Sequence, residues 1–178
     1  MIYNAAIMRW RPPAFALLCG LWLIAAAACG PEPDLKASLR VVPELSGYYD
    51  PGVQPDGENR LLPSLTFRLK NEGPLPINHV DLVIAYWEFG ADGEKDSLQI
   101  KGIGSAALDP GQTSEPMTVR STIGYKGPVP RVEFFTNSIF KGFTVKVFAK
   151  RKGKTTPLGE FPVDERILPT ISKDGAHP

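Results

Sequence analysis

The chain has 178 residues, of which 43% are apolar, 22% charged and 10% aromatic. That is enough apolar material to fill one core, and it excludes global disorder. The net charge is +1, and it becomes −1 if the segment holding Arg9 and Arg11 is removed, so the chain as a whole has no strong field to draw nucleic acid or an anionic surface.

Residues 1–13 contain Arg9 and Arg11 and no acidic side chain. An apolar stretch follows from Ala14 to Ala28, with Leu17, Leu18, Leu21, Trp22, Leu23 and Ile24 at its centre and Ala25, Ala26, Ala27 and Ala28 at its end. A basic start, an apolar middle of ~7–15 residues and a small-residue end make an export signal. A membrane-spanning helix needs about 20 apolar residues. This stretch is shorter, and Gly30-Pro31 stops it at once.

The segment Ala26-Ala27-Ala28-Cys29 resembles the lipobox of bacterial lipoproteins, in which small residues immediately precede an invariant cysteine. That family usually has Leu three places before the cysteine, where this chain has Ala26. The resemblance covers residues 1–30. It implies diacylglyceryl transfer to the Cys29 thiol, cleavage before it, and acylation of the new amino group. One acyl chain gives marginal membrane binding, whereas two or three anchor stably. Cys19, behind bulky Leu17 and Leu18, reads as an ordinary leader residue. Gly30 stands where enterobacterial lipoproteins kept in the inner membrane have Asp, so the resemblance implies the outer membrane in a host that has one. With Cys29 lipidated, the mature chain has neither a disulfide nor a free thiol.

Residues 29–36 read as a lipidated tether, proline-bearing and polar. Strand signals start at Ala37 and run to Val42, and Leu45 to Asp50 extends them. Asp50 to Arg60 is rich in Pro, Gly, Asp and Asn and reads as a loop. Leu62 to Asn71 has the cleanest alternation, with Leu65, Phe67 and Leu69 on one side and Thr66, Arg68 and Lys70 on the other. Ile77 to Phe89 is apolar on both faces, which suits a central strand. Ser97 to Ala107 and Met117 to Ile123 read as further strands, and residues 124–131 as a loop. Arg131 to Phe140 fits neither period. Gly142 to Arg151 and Thr155 to Val163 flank Lys152-Gly153-Lys154 as a hairpin. Lys146, Lys150, Arg151, Lys152 and Lys154 read as its solvated basic tip. Residues 164–178 read as a polar, poorly ordered tail.

Seven or so short strands with turn signals between them predict a single all-β domain over 37–163, an antiparallel β-sandwich. The stretch Leu65–Asp92 resembles strands two and three of bacterial immunoglobulin-like domains of the adhesion and FxLYD types, through Asn71, Gly73, Ile77, Val80, Leu82 and Tyr86. Leu108-Asp109-Pro110-Gly111-Gln112 resembles the L-x-P-G turn of the same modules. The resemblance implies a fold more than a task.

Little in the mature chain offers chemistry. His79 lies by a turn and His177 in the tail, with no partner at metal spacing, so no metal and no cofactor is expected. Asp50, Asp56 and Glu58 could offer oxygens to calcium but lack an EF-hand pattern. No phosphate-cradling glycine loop and no nucleophile elbow is present, and an enzyme is not expected. Tyr48 and Tyr49 beside the proline-rich loop, and Phe134 and Phe135, are the candidate exposed binding surface. The expected task is non-catalytic: a membrane-tethered module that binds an envelope protein or polymer and no nucleic acid. An accessory lipoprotein subunit of a secretion, transport or envelope-assembly complex is one alternative. A small-ligand binder or envelope enzyme is another.

Overall fold

The computed structural model describes residues 31–169. The expectations for Arg9, Arg11, Ala26, Ala27, Ala28 and Cys29 lie outside these residues, as does the segment 170–178.

A single helical turn, α1 (Leu35–Ser38), opens the domain, capped by the Asp34 carboxylate accepting from the Lys36 amide at 3.0 Å. Leu35 is buried there, so the fold begins inside the stretch read as tether and not at Ala37. Eight strands follow: β1 (Leu39–Tyr49), β2 (Asn59–Asn71), β3 (Val80–Glu88), β4 (Asp96–Ile103), β5 (Met117–Arg120), β6 (Tyr125–Gly127), β7 (Phe143–Arg151) and β8 (Lys154–Pro162). A 3₁₀ helix, Arg131–Thr136, lies between β6 and β7 in the stretch whose period was ambiguous.

The strands form two antiparallel sheets. One has the order β1-β2-β5, with β6 also on β2, and the other has β4-β3-β7-β8. β5 pairs with Ser64–Phe67 of β2 and β6 with Asn59–Leu61, so the two short strands are halves of one broken strand. Counted by connectivity the domain has seven strands, and their order is that of an immunoglobulin-like sandwich. β6 falls where the sequence reads as loop. The break before it is set by Gly124, where a Cβ would stand 2.1 Å from the Leu61 carbonyl oxygen.

The inner faces supply the core. Leu61, Leu65, Phe67 and Leu69 of β2 meet Leu82, Ile84 and Tyr86 of β3 and Val145 and Val147 of β7, all fully buried. Each such side chain contributes roughly 1.5–3 kcal/mol by leaving water. β1 changes register between Pro43 and Leu45, so that Val41 before the bulge and Tyr48 after it both face inward. Residues 164–169 are not a free tail. The Leu168 amide donates to the Tyr48 carbonyl and the Tyr48 amide to the Arg166 carbonyl, each at 2.8 Å, and Leu168 is buried.

This connectivity sorts the loops. The N-terminal turn, residues 72–79, residues 104–116 and the β7–β8 turn gather at one end. Residues 50–58, 89–95 and 128–142 gather at the other, where the chain also leaves β8. At the first end Asn71, fully buried, donates from its amide to the carbonyls of Leu75 and Leu108, both at 2.8 Å, and its Oδ1 accepts from the Gly73 amide at 2.9 Å. The Asn-x-Gly turn and the L-x-P-G turn are thereby locked to each other.

Candidate binding surfaces

The structure divides the four aromatics expected to form a binding surface. Tyr48 is 0% and Phe134 3% exposed, so both belong to the core and neither can meet a partner. Period-2 geometry is the reason in β1, because adjacent residues of a strand face opposite ways. Tyr48 faces in and Tyr49 faces out. Tyr48, Tyr125, Phe135, Phe140 and Phe143 pack ring against ring, with centroids 4.7–6.2 Å apart, and close the end of the sandwich beneath the 3₁₀ helix. The Tyr125 hydroxyl accepts from the backbone amides of Lys141 and Gly142 at 3.0 and 3.2 Å, tying β6 to the start of β7. Burial first, then the neighbouring Tyr125 phenol, pushes the Tyr48 phenol above its ordinary range. Tyr49 and Phe135 are half-buried. Tyr49 lies under the Arg120 guanidinium, 3.8 Å from its ring centre, on the outer face of the first sheet.

Arg40, Thr66, Arg68, Lys70, Thr118 and Arg120 line that face, with half-buried Val42, Leu45 and Leu62 among them, and Glu72 and Glu44 neutralise Arg40 and Arg68. The outer face of the second sheet differs. Its cross-strand registers place Val83 beside Phe148, Phe148 beside Pro157, and Ala85 beside Lys146. Trp87 stands one step further along β3, with the Lys146 ammonium 4.4 Å above its ring. Val83, Trp87 and Phe148 are half-buried on this face. The Trp87 indole nitrogen is buried without a hydrogen-bond partner among the described residues. Sequence reasoning missed this face although its signal was visible. A strand apolar on both sides reads as central, and β3 is central, with Leu82, Ile84 and Tyr86 facing the core and Val83 and Trp87 facing the other way.

A second apolar surface lies on the loops at the end away from the N-terminal turn. Val53, Phe89, Val132 and Ile139 are all at least half exposed there, and Ile123 in the break between β5 and β6 is 46% exposed. Phe89 packs over Gly142, where a Cβ would come within 3.0 Å of its ring.

The acidic loop residues are engaged by cations of the chain itself. Asp56 and Glu58 accept from the Lys126 ammonium at 2.8 and 2.7 Å, and Asp50 from Arg131 at 2.9 Å. The Lys126 contact holds the Asp56 carboxyl below the usual carboxylate range. Among the described residues no three or more His, Cys, Asp or Glu side chains gather as a metal would need. Two open clefts, about 330 and 240 Å³, run along the seam between β1 and β8 and are lined by ion-paired or hydrogen-bonded side chains such as Arg40, Glu72 and Arg166.

No family profile and no curated protein sequence matches the chain. Among solved structures it is similar to a calcium-binding mutant of Bacteroides uniformis beta-glucuronidase 2, at 13% identity and a TM-score of 0.40 over 70% of this chain. The chain spans 12% of that enzyme's length. It is also similar to the X-ray structure of a structural-genomics target named SoR45, at 13% identity and a TM-score of 0.42, covering 82% of this chain and 98% of that one.

Proposed function

We propose that the chain is an exported lipoprotein, anchored through Cys29, whose immunoglobulin-like domain of the adhesion or FxLYD kind is a non-catalytic binding module for another component of the cell envelope. The lipobox-like Ala26-Ala27-Ala28-Cys29 supports the anchor. The observation that carries the binding reading is the outer face of the second sheet, where Val83, Trp87 and Phe148 form an apolar strip flanked by Lys146 and Thr144, while Arg40, Arg68, Lys70 and Arg120 run across the opposite outer face. Apolar surface of that kind, rimmed by polar groups, is the usual mark of a protein contact.

The test is site-specific photocrosslinking in the native host. A photoreactive side chain in place of Phe148 is expected to give a discrete adduct that the same group in place of Thr66, on the opposite outer face, does not give. Identical adducts from both positions, or none from 148, would overturn the assignment of this face.

A second reading has its own observation. The exposed Val53, Phe89, Val132 and Ile139 lie at the end of the domain away from the N-terminal turn Leu35–Ser38. That placement suits an accessory subunit that reaches up from the membrane into a larger envelope assembly.

A further inference from the structure

The two sheets have four edges between them, and three carry devices that stop another strand from pairing. β1 is bulged between Pro43 and Leu45, and the backbone of its Tyr48 is taken by Arg166 and Leu168. β8 holds Pro157 and Pro162 and changes register between Pro157 and Gly159. β5 and β6 have four and three residues, with the break at Gly124 between them. β4 is the fourth edge. It runs over eight residues, Asp96–Ile103, without a proline, and its one register shift falls after Lys101. Among the described residues no backbone amide or carbonyl of Leu98–Lys101 bonds to backbone outside the ladder with β3. In an antiparallel pair alternate residues turn these groups away from their neighbour, so β4 presents an unpaired row along its outer side.

The side chains of β4 fit a second β4. Leu98 and Ile100 stand beside the core residues Ile84 and Leu82 in the ladder, face the interior with them, and are only half-buried. Ser97, Gln99 and Lys101 face outward and are exposed. Asp96 turns back to Ser121 and Thr122, which hold its carboxylate. The outward row therefore carries a single charge, on Lys101. Two copies of the strand can pair antiparallel about a two-fold axis at Gln99. That register uses the regular stretch 97–101. It sets Leu98 against Ile100 of the second copy, Ser97 against its Lys101 and Gln99 against its Gln99. Apolar meets apolar on the inner side, and no like charges meet. A register centred on Leu98 would bring Lys95 against Lys101, and one centred on Ile100 would draw in the irregular Gly102.

We propose that β4 pairs with β4 of a second copy of this chain, in the antiparallel register centred on Gln99. The pairing joins the two four-stranded sheets into one continuous sheet and covers the open sides of Leu98 and Ile100. The N-terminal turns of the two copies lie at opposite ends of that sheet. The inference goes beyond the lipoprotein reading and stands apart from it, so its failure would leave that reading untouched.

The test expresses the full chain in its native host with Gln99→Cys, Lys101→Cys or Thr66→Cys. Intact cells are oxidised with a copper catalyst, and non-reducing gels are compared with that of the parent chain. Directly opposed residues of antiparallel strands have Cα atoms about 4.5–5.5 Å apart, within the span of a disulfide. Gln99→Cys is therefore expected to give a species of twice the chain mass. It should be several times more abundant than from Lys101→Cys, whose two copies stand about 13 Å apart along the ladder, or from Thr66→Cys on the other sheet. Gln99→Lys opposes two ammonium groups. It is expected to take the detergent-extracted chain from the two-copy to the one-copy mass in light scattering, while Gln99→Thr keeps the larger mass. No dimer from Gln99→Cys, or equal yields from all three cysteine variants, would overturn the pairing. So would a Gln99→Cys adduct of any other mass, which would give the edge to a foreign strand. A two-copy mass that survives Gln99→Lys would put the contact elsewhere and overturn it as well.

Discussion

Asn71 sits fully buried at the end of β2, and each polar atom of its amide has a protein partner in the turns that follow. Asn71→Ala would remove three hydrogen bonds and leave buried carbonyls and an amide short of partners. The expected cost is about 2–4 kcal/mol, read as a lower urea midpoint at unchanged slope. The aromatic end gives a sharper contrast between neighbours. Phe134→Ala should cost about 3–5 kcal/mol, as a buried ring does, whereas Val132→Asp and Ile139→Asp, at exposed positions, should each stay within about 0.5 kcal/mol. Thermal unfolding of the three variants checks this, and a similar cost for all three would contradict the burial described. Asp96 gives a pH signature. Burial works against its charge, but the Ser121 hydroxyl and the Thr122 amide and hydroxyl donate to it and hold its carboxyl below 3.8. A depressed carboxylate stabilises the fold above its unfolded pKa, and that contribution is lost as pH falls through the lower folded value. Acid unfolding of Asp96→Asn should therefore lack part of the stability loss that the parent shows below pH 3.8.

At the scale of elements, β2 and β7 were legible because one buried face forces strict alternation, and their inward residues are the ones the period picked. β6 was not legible. It has three residues between Gly124 and Pro128, and it pairs only because β2 runs long enough to hold both halves of a broken strand. Gly124→Ala should distort that break, since its Cβ would meet the Leu61 carbonyl. The expected result is destabilisation of more than about 1 kcal/mol, as for overpacking, with faster hydrogen exchange at Tyr125–Gly127 than in β7. Residues 164–169 were equally hidden. Their polarity suits a tail, yet Ile167 and Leu168 are enough to dock them beside Tyr48. The candidate surfaces were the hardest to read. Of the adjacent aromatics, Tyr48 and Phe134 face inward, and the apolar strip of Val83, Trp87 and Phe148 is assembled across two strands, with Trp87 and Phe148 61 residues apart in sequence.

At the scale of the whole molecule, the two apolar surfaces and the free β4 edge occupy different parts of one sandwich. The roles of the apolar surfaces depend on where the chain is held. The most direct measurement is the intact mass of the protein extracted from the membranes of its native host. The expected mass equals residues 29–178 plus acyl groups, and a Cys29→Ala variant is expected to lose both processing and membrane partition. An unlipidated chain beginning at another residue would contradict it.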